Sequence, residues 1–119
     1  MASRKKKKED AERRELRSAF LWEHGVCMAC EQAGATDLHE ICRGAHRHRA
    51  KLNPITWLAL CRSCHDEMDD YSIWPLERQC AVKFLRDYQR FDLEELNAVR
   101  GRAPHAITME DIIAYLELF

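Results

Sequence analysis

Two Cys-x-x-Cys pairs, Cys27-Met28-Ala29-Cys30 and Cys61-Arg62-Ser63-Cys64, carry the strongest chemical signal in the chain. Each sets two thiolates on one tight turn. Two such turns brought together form the closed four-sulfur shell of structural Zn²⁺. A single pair would suffice for redox work, so the duplication points to a metal. The bland alternative is four cysteines that merely pack. Folding and zinc binding should be coupled in a chain of 119 residues, where the core alone supplies limited stability. Cys42 and Cys80 stand outside this spacing and read as buried apolar residues.

Thirty residues separate Cys30 from Cys61, so something is built between the two knuckles. Residues 36–52, "TDLHEICRGAHRHRAKL", hold three of the six histidines. The cations Arg43, Arg47, Arg49 and Lys51 follow Glu40, and no acid intervenes before Arg62. Such a cluster can track a phosphate backbone whether or not chemistry occurs, and it can equally be a solvated loop. No recognition-helix motif accompanies it, so DNA binding through these cations would be backbone-dominated and salt-sensitive. Structural readings also exist for the residues around it. His39 and His65 could hydrogen-bond to the zinc knuckles from outside. Glu40 could pair with Arg43 or Arg47.

The order Cys-x-x-Cys, "LHEI", basic loop, apolar run and "LCRSCH" resembles the zinc-stapled HNH endonucleases over about residues 25 to 70. The whole chain, with "WPLERQCA" and "NAVRGRAPHAITME", also looks like small phage-type proteins described as HNH endonucleases. The resemblance implies a ββα-metal unit, a hairpin and a helix around one catalytic divalent ion. It places His39 on the leading metal-ligand position and His65, directly after Cys64, on the final one. Asp69 lies one helical turn beyond His65, so both can face one ion. Carboxylate suits Mg²⁺, and imidazole admits Zn²⁺, Mn²⁺ or Ni²⁺. Two departures stand out. Glu40 occupies the position of the general-base histidine, and Thr56 that of an orienting asparagine, with Asn53 three residues too early. Glu40 would then act as base, or as a ligand with His46 or His48 as base. Function divides accordingly between a metal-dependent endonuclease hydrolysing DNA and a catalytically inactive zinc module that binds DNA or a protein.

The elements that position these residues can be read coarsely. Residues 3–8 form a charge run expected to fray, and a helix follows from Glu9 to about His24, with Leu16, Ala19, Phe20 and Glu23 at helical spacing and Gly25 as its stop. "TDLHEI" alternates as a short strand, and "ITWLAL" is a second β-prone run entering the second knuckle. A helix is expected to begin after Cys64 and to end by Trp74, before Pro75. "PLERQCAVKFLRDYQ" is helical, with Pro75 at its first position and Leu76, Cys80, Val82, Phe84 and Leu85 near one face. Asp92 and Thr108 cap two further helices; Gly101 lies beyond the first, and Asp111 closes a capping box in the second, whose core residues are Ile112, Ile113 and Leu116. The expected class is α+β, mainly helical. A basic arm and N-terminal helix occupy 1–24, the zinc-stapled core 25–74, and a helical extension of the same domain 75–119.

The net charge of −1 hides an asymmetry: residues 1–65 hold 13 Lys or Arg against 8 Asp or Glu, and residues 66–119 hold 6 against 12. The basic half could face a polyanion, with the "RKKKK" arm adding to it. The acidic C-terminal helices could face a protein partner. No apolar run reaches the length of a membrane span and no signal-peptide pattern opens the chain. The expectation is an intracellular, cytoplasmic protein with no membrane contact.

Overall fold

A computed structural model of the protein describes residues 4–41, 53–100 and 106–119. The first helix, α1, spans Arg4–His24. It takes in the charge run expected to fray. Gly25 ends it with φ +67°, donating its N–H to the Leu21 carbonyl at 2.9 Å, the left-handed stop that glycine adopts without a Cβ clash. Only Phe20 of this helix is fully buried, while Leu16 and Ala19 face outward. The inward side is instead completed by Arg13, Arg17, Leu21 and His24, all half-buried. Arg13 is drawn inward by its ion pair with Glu40 at 3.0 Å, a partner that apolar spacing does not reveal.

The first knuckle follows as a tight hairpin. Cys27 donates to the Ala33 carbonyl at 2.8 Å and Ala35 to Gly25 at 3.0 Å. It lies along the second strand of the sheet, because Met28 N–H donates to the Ala59 carbonyl at 2.8 Å while Ala59 N–H donates to Met28 Sδ at 3.0 Å. Strand β1 (Asp37–Glu40) pairs antiparallel with β2 (Trp57–Leu60), His39 opposite Leu58 and Glu40 opposite Trp57. A 3₁₀ turn at Pro54–Thr56 leads into β2, capped by Asn53, whose Oδ1 accepts from Ile55 N–H at 3.2 Å. The β-prone run thus divides into a turn and a four-residue strand. All four residues of β2 are buried. Phe20 meets Trp57 edge-on at 5.6 Å and fixes α1 on the sheet, a favoured aromatic geometry.

Helix α2 (Arg62–Met68) starts immediately after Cys61, its N-cap. It therefore begins three residues earlier than expected, with Cys64 inside it, and it stops well short of Trp74. Tyr71–Trp74 instead form a turn in which Asp70 accepts from the Ser72 N–H and hydroxyl. Together β1, β2 and α2 make a small ββα arrangement. Pro75 is the N-cap of α3 (Leu76–Arg86), not its first helical residue. The buried face of α3 is Gln79, Cys80, Ala81, Val82 and Lys83. Leu85, expected inward, is largely exposed. Two more α-helices follow among the described residues: α4 (Leu93–Arg100), whose Glu95 N–H is capped by Asp92 at 3.1 Å, and α5 (Met109–Leu116), with the Thr108–Asp111 capping box formed. Of its expected core residues Ile112 is fully buried and Leu116 partly, while Ile113 is exposed. Asn97 ties the two helices, donating to the Ile107 carbonyl at 2.9 Å and accepting its N–H at 2.8 Å. The class is α+β, mainly helical. Among the described residues no helix is long and apolar enough to cross a membrane.

Candidate metal centres

The knuckle turn and the first turn of α2 bring Cys27, Cys30, Cys61 and Cys64 together, with all four sulfurs within 4.8 Å of one another. Cys30 Sγ and Cys61 Sγ are 3.9 Å apart. A tetrahedron with Zn–S of about 2.3 Å has edges of about 3.8 Å, so the cluster is already near the size of a zinc shell. The Gln32 N–H, 3.4 Å from Cys30 Sγ, holds that thiol down to about 7, while burial among the other sulfurs pushes Cys64 up. Four thiolates this close repel unless a dication neutralises them. The donor set therefore fits a metal such as zinc. Cys80 lies apart on α3, fully buried, its thiol pushed up to about 12 by desolvation.

A second cluster also draws on α2. Donor atoms of His39, His65 and Asp69 also lie within 4.8 Å of one another. His39 comes from the middle of β1; His65 and Asp69 come from one face of α2, four residues apart. The two imidazoles meet edge-on, with centroids 5.5 Å apart. Each is held from outside the cluster. His39 Nε2 is 2.7 Å from Gln79 Oε1, and His65 Nδ1 is 3.0 Å from Asp37 Oδ2. The His65 hydrogen bond, with smaller contributions from Thr36 and Arg62, keeps the Asp37 carboxyl below its ordinary range. Two imidazoles and a carboxylate suit a divalent transition ion or Mg²⁺, and a set of three protein ligands would leave coordination positions open.

Glu40 does not join this group. Alternation along β1 turns it to the face opposite His39, where Oε1 accepts from Arg13 Nη2 of α1 at 3.0 Å. Its side chain is only 8% exposed, and Oε2 is buried with no hydrogen-bond partner among the described residues. Among the described residues its ion-pair partner is Arg13, a residue that spacing did not suggest because it lies 27 positions away; the expected partners Arg43 and Arg47 lie outside the described residues. Arg62, expected to contact phosphate, is exposed but already bonded to Asp37 at 3.1 Å, with Asp66 at 3.5 Å. Arg43, Arg47, Arg49 and Lys51 lie outside the described residues, as do Cys42, His46, His48 and Gly101. Thr56, in the asparagine position, is fully buried, and its carbonyl accepts from Ile41 N–H at 2.7 Å. Asn53 does order the turn before β2, and also reaches Glu95 of α4 at 3.4 Å.

Reading by residue type located both clusters but missed Asp37 and Gln79. Asp37 carried a usable signal, lying two residues before His39 on the same strand face. Gln79 carried none, being forty positions from His39. Comparison of the chain with protein-family models, curated proteins and solved structures gives no match.

Proposed function

We propose that the protein is an HNH-like, metal-dependent endonuclease acting on DNA, with a structural zinc at Cys27, Cys30, Cys61 and Cys64. A second divalent ion, of the Mg²⁺, Mn²⁺ or Ni²⁺ class, would be held by His39, His65 and Asp69. The observation that supports this reading is the convergence of those three donors within 4.8 Å, on the elements that the cysteine cluster ties together. When bound, such an ion supplies charge neutralisation at a scissile phosphate and lowers the pKa of a coordinated water. The chain's own residues do the rest. Asp37 orients His65, and Asp69 is exposed, where a phosphodiester could reach an ion that it helps to hold. Cations of the loop, with Arg62 and the exposed Arg4–Lys8 turn of α1, would follow the DNA backbone.

Glu40 stands where the resembling family has its base, but its bond to Arg13 gives it a structural task. The proton of a water acidified by the bound ion would then pass to His46 or His48 of the loop, or to bulk solvent. The same Glu40–Arg13 pair favours a second reading, a catalytically silent zinc module that binds DNA, or a protein through the acidic C-terminal helices. That module would hold one zinc per chain and no second ion.

Cleavage of plasmid and branched DNA with Mg²⁺, Mn²⁺ or Ni²⁺ separates the two. The expected result is metal-dependent cleavage that drops by about two orders of magnitude or more in His65→Ala. No cleavage with any of the ions, or equal cleavage by the variant, overturns the nuclease reading.

A further inference from the structure

Gln79 is fully buried on α3, and its amide spans three partners. Its Nε2 donates to the Trp74 carbonyl at 2.9 Å and to the Met68 carbonyl at 3.4 Å. Carbonyls only accept, so the amide nitrogen must face them and Oε1 must face His39. Oε1 also only accepts. The proton shared across the 2.7 Å contact therefore sits on His39 Nε2, and the ring's lone pair sits on Nδ1. The same reasoning holds across the cluster. The Asp37 carboxylate accepts, so His65 carries its proton on Nδ1 and its lone pair on Nε2.

We propose that Gln79 is a positioning residue for the second ion: it locks His39 in the Nε2–H tautomer so that Nδ1 is the ligand atom. This inference rests on the ion site of the functional reading above. A buried primary amide is costly unless fully bonded, and an apolar side chain would fill the same volume on α3 without that demand. The polar residue is accounted for by what it does to the imidazole. Partners outside the ligand set commonly fix the tautomer of a metal-bound histidine, and their loss weakens metal binding. Here that partner comes from α3, so the helical extension after Pro75 forms part of the ion site.

The test uses the full chain with the cysteine site zinc-loaded. Long-range proton–nitrogen NMR reads the His39 tautomer without a second ion, and a Ni²⁺ titration reads the second site. The wild type should show His39 in the Nε2–H form. Gln79→Met, of similar length but without the acceptor, should mix the tautomers and weaken Ni²⁺ binding about 10- to 100-fold, one zinc per chain being retained. Gln79→Glu keeps an acceptor opposite His39 while giving up the donor to the two carbonyls, and should keep the proton on Nε2 where Gln79→Met does not. An Nδ1–H tautomer in the wild type, or Ni²⁺ binding by Gln79→Met as tight as wild type, overturns the proposal. Should Gln79→Met fail to fold, the wild-type tautomer and the Gln79→Glu spectrum decide the matter. A wild type that binds no second Ni²⁺ overturns the functional reading instead, and the tautomer readout, which needs no second ion, still judges Gln79.

Discussion

Within β1 the imidazole of His39 and the carboxylate of Glu40 emerge on opposite faces, and each is met by a different helix, α3 for one and α1 for the other. This single alternation separates two roles that adjacent residues share in the resembling family. If Glu40 holds α1 to the hairpin, Glu40→Gln should lower stability by about 1.5–3 kcal/mol, the scale of a hydrogen bond to a charged group. It should leave the cleavage rate within about threefold, because loss of a true general base costs about 10²- to 10⁴-fold. Denaturant unfolding and a cleavage time course check both halves, and a hundredfold loss of rate returns Glu40 to the catalytic role. The donor types of both clusters were legible in the sequence, since Cys-x-x-Cys and His-x-x-x-Asp each bring ligands together locally. What a neighbour does to a ligand was not legible. Arg13 and Gln79 reach their partners across 27 and 40 positions.

At the scale of elements, the helices were readable as periodicities and caps, but their inward faces were not always apolar. Helix α3 buries Lys83 completely. Its ammonium donates to the Pro54 and Trp57 carbonyls, both at 2.8 Å, and to Asp87 Oδ2 at 2.6 Å. Three acceptors match its three protons, and Asp87 is held in turn by Arg90 at 2.9 Å. One side chain thus joins α3 to the turn that starts β2, a link no local pattern encodes. Lys83→Met should cost about 3–5 kcal/mol, because it strands the buried partners of a broken pair. Burial also lowers the Lys83 ammonium from 10.5 to about 8. Between those values the unfolded chain holds the proton and the folded chain does not, so this group makes stability rise with pH across about 8 to 10.5. Denaturation midpoints over that range should show a rise in the wild type that is absent in Lys83→Met.

For the molecule as a whole, the sulfur cluster fastens the first knuckle to the second, and through them α1, the hairpin and α2. A chain of 119 residues with a two-stranded sheet gains much from such a staple. Chelation, or Cys61→Ser, should release one zinc per chain and remove cooperative thermal unfolding. Cys80→Ser should leave the zinc content unchanged, since Cys80 lies outside the cluster; metal analysis with circular dichroism reads both. The α+β class and the order of elements were accessible from pattern alone. The start of α2 was not, because its N-cap is a metal-cluster cysteine that makes no side-chain capping bond. That helix has one further consequence. Cys61 caps it, Cys64 and His65 are consecutive within it, and Asp69 ends it, so a seven-residue helix carries donors of both clusters. A helix this short does not hold its shape alone. With zinc at the cysteines and the proposed ion at His39, His65 and Asp69, occupancy of one site would prepay the ordering needed by the other, and by reciprocity of binding free energies each ion would tighten the other by the same factor. The two metals would then act not as scaffold and cofactor but as mutual effectors.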